Sequence, residues 1–348
     1  MEFYVRNANS ALFDGLQALF RRGRDVMVRG QNTIELDDVL FIISNPLERC
    51  IFLKGRNDNI FAKVAETLWI LAGRNDIKWL SHYLPRAVDF SDDGHTWRGG
   101  YGPRLRGNPD QMTQCVNILT KDPESRRAVM TIFDPKSDFV DSKDIPCNLA
   151  IHWLIRDGFL NMKVFQRSSD IWWGFSGINT FEWSVLHQLM ASWLNVQVGT
   201  LAYFISSLHL YERHFERAEK LLSMEHTDVY DSHPQIPWTN TPIYLFDNLM
   251  ASIFMDEECA RSGDFFIHNS IVREDPLLRQ FSLMLMLYNA YNRFTMLLDS
   301  RDTIACIVNK MESSDLKLAS LEYLLRQGID ISNIVLPEKD RNILSLQI

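Results

Sequence analysis

Lys163–Asn179 reads KVFQRSSDIWWGFSGIN. A run of strand-forming residues stops at Gln166-Arg167-Ser168-Ser169-Asp170, and two tryptophans, a glycine-bearing loop and Asn179 follow. A break of that kind either caps structure or holds something anionic and flat. The preceding segment, CNLAIHWLIRDGFLNMKVF from Cys147, has two β-favouring runs flanking Asp157-Gly158. Asp-Gly between such runs is the strongest short-range hairpin signal. The quoted stretch therefore leaves a hairpin strand, and hairpin geometry brings Arg167 towards Cys147 at the entry of the other strand.

Working outward, residues 11–22 read as a helix and 32–43 alternate as strands do. In DNIFAKVAETLWILAG, Phe61, Val64, Ala65, Leu68 and Ala72 recur at helical spacing, with Gly73 as a stop. Residues 86–110 are rich in Gly, Asp and Arg and read as a loop. MTQCVNILTKDPESRR begins as a helix and ends in a turn before a strand, AVMTIF. After Asn179 come a helix (TFEWSVLHQLMASWL), a strand (TLAYFIS) and a helix from about Leu210 to Leu222. Beyond about residue 240, long apolar helical patterns dominate, ending in SDLKLASLEYLLRQG with Ser314 as a cap and Gly328 as a stop. The expected organisation is an α+β catalytic core over 1–240 and a helical extension over 241–348 packed on it.

The 348 residues are 46% hydrophobic and 23% charged, a composition that suits an ordinary globular protein. A net charge of −8 argues against coating nucleic acid but leaves room for a small phosphorylated ligand held by a local arginine cluster. An acid at position 2 and the lack of a long apolar core argue against a signal peptide. Asn289, Asn292 and Arg293 interrupt the richest apolar run, Phe281 to Leu298, which suits a buried helix better than a membrane span. Cys50, Cys115, Cys147, Cys259 and Cys306 are widely scattered without a CxxC pair. That spacing indicates neither a metal site nor a disulfide framework, and a reducing cytoplasm is the simplest setting.

Several residues invite chemistry. A lone cysteine is most often a small buried hydrophobe, and reactivity at Cys147 requires nearby cations to lower its pKa. Arg126 and Arg127 form either a solvated pair or a planar fork for phosphate. Gln166, Arg167 and Ser168 add phosphate donors. Glu66 lies on a helix apolar nearly all round, which is costly unless it is paired or handles protons. Asn179, with Glu182 three residues on, has the layout of an N-cap and capping box. Its amide also matches the N3–H and O4 edge of uracil. His209 and Tyr211, two apart on an extended segment, point the same way and suit a sugar hydroxyl or a core hydrogen bond.

Taken in order, these pieces resemble the thymidylate synthase family across roughly residues 20–220. The pattern is Pro146-Cys147, Gln166-Arg167-Ser168-Ser169-Asp170, Gly174, Asn179 and His209-x-Tyr211, with AETLWILAG, RGGYG around Tyr101 and DPESRR upstream. The resemblance implies a mixed-sheet α+β core, a pyrimidine nucleoside monophosphate substrate and 5,10-methylenetetrahydrofolate as cosubstrate. It implies that the Cys147 thiolate adds to C6 so that C5 attacks the one-carbon unit. Glu66 and Tyr101 would manage protons. Arg167, Gln166 and Ser168, with Arg29, would hold the phosphate or its surroundings. Arg126 and Arg127 would reach a partner's phosphate across a homodimer. Asn179 would read the base, His209 and Tyr211 the sugar, and Asp170 the folate pterin.

Departures cluster on the folate side. The usual His after the nucleophile is Asn148, Leu84–Asp93 carries no tryptophan, and Ser207 replaces an Asp before His209. The Gly174–Asn179 loop is one residue longer than usual, Trp172-Trp173 are bulky, and no segment aligns with the family's closing C-terminal tail. Conversion of dUMP to dTMP is the first expectation. The alternative is 5-hydroxymethylation of dUMP, dCMP or CMP, which follows if water captures the intermediate. A non-catalytic nucleotide- or RNA-binding homologue is a third, opposed by Cys147, Arg167 and Glu66 together.

Overall fold

At Asp157 and Gly158 the backbone takes φ values of 52° and 78°, the left-handed pair that a two-residue hairpin turn requires. Register follows from that turn, from Arg156 opposite Phe159 to Asn148 opposite Gln166. The structure, a computed structural model, describes residues 1–268, 270–294 and 300–347. These form two compact units, Met1–Arg49 with Glu66–Met224 and Cys50–Ala65 with Glu225–Ile348.

The first unit is built on one mixed sheet. Its strands are β1 (Glu2–Val5), β2 (Arg24–Val28), β3 (Gln31–Ile43), β4 (Val129–Thr131), β5 (Asn148–Arg156), β6 (Phe159–Gln166), β7 (Ser169–Asp170) and β8 (Gln197–Tyr211). The order is β1-β3-β8-β6-β5-β4, with β2 paired to β3 and β7 to β8. Around it lie α1 (Ala8–Arg22), α2 (Ile60–Leu71, from Glu66 in this unit), α3 (Ile77–Leu80), α4 (Gly102–Arg106), α5 (Gln111–Lys121), α6 (Thr180–Trp193) and α7 (Phe215–Ser223). Side chains alternate along the strands as the pleat demands. Ile151, Trp153, Met162, Val164, Tyr203 and Ile205 are buried on one face. On the other, Val129, Phe159 and Phe204 are 44%, 43% and 38% exposed.

Two expectations change here. β8 continues to Tyr211 where a helix was expected from Leu210, and α7 starts only at Phe215. The cause is tertiary pairing, because Tyr211 ladders with Thr33 and His209 with Asp170, and strand pairing overrides local propensity. The 86–110 loop contains a 3₁₀ turn, Pro85–Phe90, and α4.

The second unit has no strand among its described residues. It contains α8 (Phe246–Ser262), α9 (Ser270–Glu274), α10 (Pro276–Phe294), α11 (Ser300–Lys310), α12 (Asp315–Arg326) and α13 (Glu338–Gln347), with Cys50–Ala65. Ser314 caps α12 by accepting the Lys317 N–H at 3.3 Å. Gly328 follows with φ 79°. Buried carboxylates are partnered: Lys63 lies 2.7 Å from Asp58, and Tyr230 donates to Asp315 at 2.9 Å. Phe281–Tyr288 are buried in α10, while Thr295–Leu298 of that apolar run lie outside the described residues. Among the described residues, no helix is long and apolar enough to cross a membrane. Cys259, Asp264 and His268 bring potential ligand atoms within 4.8 Å of one another, a grouping the scattered cysteine spacing does not reveal.

Candidate active site

The hairpin sets the two strand ends side by side, and the Arg167 N–H donates to the Cys147 carbonyl at 3.0 Å. The Arg167 guanidinium then folds back over the nucleophile's loop, donating to the carbonyls of Pro146 (3.0 Å) and Ile145 (2.6 Å). Its Nη2 lies 3.7 Å from Cys147 Sγ, and Ser168 Oγ lies 3.6 Å from the same sulfur. Burial pushes the Cys147 thiol up, while the Arg167 charge and the Ser168 hydroxyl pull it back. A fixed cation and a hydroxyl donor beside a thiol are what thiolate formation requires.

Behind the nucleophile runs a buried chain of amides. Asn148 Nδ2 donates to the Tyr101 hydroxyl at 2.6 Å. Asn148 Oδ1 accepts from Gln166 Nε2 at 2.8 Å and from Trp183 Nε1 at 3.3 Å. Gln166 Nε2 also donates to Asn179 Oδ1 at 3.1 Å, and Asn179 Nδ2 donates to Glu182 Oε1 at 2.7 Å. Tyr101 stacks on Trp183 with centroids 5.4 Å apart.

Asn179 is not the cap that its spacing suggested. Ile171–Asn179 form a π-helix that runs straight into α6, so Asn179 has helical angles (φ −60°, ψ −39°) and its side chain caps nothing. The preceding turn already engages the first N–H groups of α6, as when Thr180 N–H bonds to the Phe175 and Ile178 carbonyls. The cap falls instead at Asp170, whose carboxylate accepts the Trp172 N–H at 2.9 Å. π-turns often mark functional sites, and they hold more residues per turn than an α-helix. The longer Gly174–Asn179 segment lies within this one.

Glu66 is pushed up to about 8 by burial, with the Asp144 carboxylate adding to the effect. Glu182 is raised well above the carboxylate range by burial and by Glu66, against the opposing Asn179 hydrogen bond. Asp144 is itself raised by burial, tempered by its bond from Trp97 Nε1 and by Arg167. Two buried carboxyl groups that feel each other do not both ionise near neutrality. Together they can hold a proton and release it.

The other predicted residues fall into two groups. His209 and Tyr211 share one face of β8, with rings 5.2 Å apart, and His209 is level with Asp170. The Asp170 carboxyl is raised by burial and restrained by His209. Arg29 sits exposed in the β2–β3 turn with φ 50°. Gly30, Gln31 and Asn32, just beyond it, line a small hollow with Tyr211 and Arg213. Arg126 and Arg127 are not brought to Cys147. They are exposed ahead of β4, where Ala128 and Val129 lie against Trp153 and His152. Six residues of strand separate that point from Cys147, about 20 Å.

Sequence reasoning missed Trp183 and the buried role of Glu182, and took Asn148 only as a replacement. No local signal links β5, β6 and α6, so the hydrogen bonds appear only in three dimensions. It also missed the Trp173 indole, which donates to His214 Nε2 at 2.8 Å beneath the Arg86 guanidinium.

A family model described as thymidylate synthase matches residues 53–250. The chain is similar to proteins named deoxyuridylate hydroxymethyltransferase. That of Bacillus phage SP01 is 31% identical over 351 residues, covering 90% of each chain. That of Delftia phage PhiW-14 is 35% identical over 231 residues, covering 63% of this chain and 64% of its own. That of Pseudomonas phage M6 is 28% identical over 340 residues, covering 93% of both.

Proposed function

The chain belongs to the thymidylate synthase family and is a one-carbon transferase acting on a pyrimidine; we propose that its reaction is 5-hydroxymethylation of dUMP, with 5,10-methylenetetrahydrofolate supplying the carbon. The observation that carries this reading is Cys147 Sγ held 3.7 Å from Arg167 and 3.6 Å from Ser168. What tips it from methylation to hydroxymethylation is the activity for which the relatives are named, two of which align over nine-tenths or more of both chains.

In this reading, Arg167 stabilises the Cys147 thiolate as it adds to C6 of the uracil, and the electron pair moves to C5 and O4. Methylenetetrahydrofolate then supplies the carbon that C5 captures. Tyr101, which accepts from Asn148 and so has its own O–H free to orient towards the base, serves the loss of the C5 proton. Loss of that proton to solvent, with cleavage of the carbon's bonds to the folate nitrogens and release of tetrahydrofolate, leaves a methylene on C5. Water adds to that methylene and gives a proton to the Glu66–Glu182 pair. The electrons pass through the ring to expel Cys147 as thiolate. Dihydrofolate is not formed on this route. His209 and Tyr211 bind the sugar, Asp170 the pterin, and Arg29, Arg167 and Ser168 the phosphate region.

A homodimer completes the proposal. Arg126 and Arg127 lie ahead of β4, level with the far half of β5 and too far from Cys147 to serve their own site, and the sheet's second face is partly apolar and exposed, with Phe165 and Phe204 stacked at 4.9 Å. An exposed patch of that kind suits a second copy. Mixing Cys147→Ala subunits with subunits carrying Arg126→Ala and Arg127→Ala should restore activity to either inactive parent. No recovery would remove the shared-arginine reading.

The deciding assay supplies dUMP, dCMP, UMP and CMP separately with methylenetetrahydrofolate. Product mass and dihydrofolate absorbance are followed together. Hydroxymethylated dUMP without dihydrofolate is expected. A methylated product with stoichiometric dihydrofolate would overturn the proposal in favour of dTMP synthesis.

A further inference from the structure

We propose that Trp183 fixes the direction of the Asn179 amide through Asn148 and Gln166, and that this fixed direction makes the site accept uracil and refuse cytosine. The inference rests on the reading that Asn179 faces the base.

A side-chain amide is nearly symmetric in shape, and its two ends differ only in hydrogen-bonding sense. Flipped one way, Asn179 offers an acceptor to N3–H and a donor to O4, which is uracil. Flipped the other way, it offers a donor to N3 and an acceptor to the exocyclic amine, which is cytosine. An unrestrained asparagine therefore discriminates poorly between the two bases, and something must hold it.

The buried chain does so from its Trp183 end. An indole N–H donates and never accepts, so Trp183 Nε1 at 3.3 Å forces Asn148 to present its oxygen. The Asn148 amine then faces the Tyr101 hydroxyl. Gln166 must donate to the Asn148 oxygen, and the same nitrogen donates to Asn179 at 3.1 Å. Asn179 consequently turns its oxygen towards Gln166 and its nitrogen towards Glu182, whose Oε1 accepts at 2.7 Å. Trp183, Asn148, Gln166, Asn179 and Glu182 are each at most 3% exposed, so water cannot readily substitute for a lost partner. Reversing Asn179 alone would set its nitrogen against the Gln166 donor, whereas the Glu182 carboxyl, raised by burial, can pair with either end of the amide.

The count of groups leaves what a base needs. Asn179 Nδ2 has two hydrogens and uses one on Glu182; Oδ1 has two lone pairs and uses one on Gln166. One donor and one acceptor remain, in the uracil sense. Trp183 is thus a positioning residue, acting on Asn179 through Asn148 and Gln166.

The test is a specificity ratio, which a merely structural role would not move. kcat/KM is measured for dUMP and dCMP with the wild type, Glu182→Gln and Trp183→Phe. Wild-type product identity is established first. If the wild type hydroxymethylates neither dUMP nor dCMP, the functional reading fails independently of the amide. In Trp183→Phe the donor-only group is gone, so Asn148, Gln166 and Asn179 can reverse together. The dCMP-to-dUMP ratio should rise about 10- to 100-fold, mostly through dCMP gaining. Glu182→Gln exchanges one side chain that both donates and accepts for another, and should leave the ratio within about threefold. Nucleotide-dependent thermal protection by dUMP and dCMP, measured without folate, gives the same comparison for a variant too slow to assay. Lower activity towards dUMP with an unchanged ratio in Trp183→Phe would overturn the proposal, as would a wild type that takes both bases equally.

Discussion

Cys115 and Cys147 are both poorly accessible thiols of the first unit, yet their surroundings differ in one respect. Cys115, on α5, is 1% exposed, and burial alone pushes it up to about 12. Cys147, entering β5, is also raised by burial, but Arg167 and Ser168 oppose that cost. Burial therefore does not mark the nucleophile. A cation delivered by the neighbouring strand does, and the Asp157-Gly158 turn sets the register that delivers it.

The sharpest way to break this contrast is to remove each thiol in turn. Cys147→Ala should lower turnover by about 10⁵-fold or more and abolish any covalent adduct with 5-fluoro-dUMP and folate, while nucleotide binding survives. Cys115→Ala should keep turnover within about twofold and cost roughly 1 kcal/mol of stability through lost packing. Comparable turnover in the two variants would dismiss Cys147 as the nucleophile.

Glu66→Gln comes next, with an expected loss of about 10²- to 10⁴-fold in kcat and a smaller change in KM for dUMP. Glutamine keeps the shape of the side chain but cannot take up or return a proton. Retention of full kcat, measured by product formation under saturating substrates, would remove Glu66 from proton handling. Arg167→Ala should then slow alkylation of Cys147 by iodoacetamide about 10-fold or more at pH 7.5, because the thiol loses its counter-cation. Labelling at Cys115, followed by peptide mass spectrometry, should remain as slow as in the wild type. Equal labelling of Cys147 with and without Arg167 would show that the cation does not control the thiolate.

How much of this was legible in the sequence depended on distance along the chain. The Asp157-Gly158 turn is local, so the hairpin, its register and the approach of Arg167 to Cys147 could be read directly. The α2 periodicity and the awkwardness of Glu66 on it were equally plain. The end of β8 was not, because its last residues become strand only by pairing with β3 and β7. Asn179 shows the same limit at a single residue. Its spacing to Glu182 fits a capping box, but the π-helix before it supplies the backbone partners, and the two side chains bond each other instead. Trp183 carries no signal at all until β5, β6 and α6 are assembled around Asn148.

The smallest effect concerns stability, and it separates the carboxylate from the thiol by their pH windows. Glu66 is held up to about 8 in the folded protein, against an ordinary value of 4.5. Between those values the folded state keeps the proton that the unfolded chain has released, so stability falls as pH rises, by at most about 1.4 kcal/mol per pH unit for this group. Glu182, raised in the same direction, adds to the fall. His152, His187 and His209 are all lowered by burial and act oppositely below their ordinary value of 6.5, where the unfolded chain binds the protons. The window free of the histidines is therefore pH 6.5 to 8; Lys63, lowered by burial, opposes the carboxyl groups but does so equally in wild type and variant. Across it the melting temperature of the wild type should fall relative to that of Glu66→Gln. Cys115→Ala should follow the wild type, since its thiol titrates well above this range in the folded state. A Glu66→Gln slope as steep as the wild type's would mean that Glu66 is already ionised at neutral pH, and the shared proton would have to reside on Glu182.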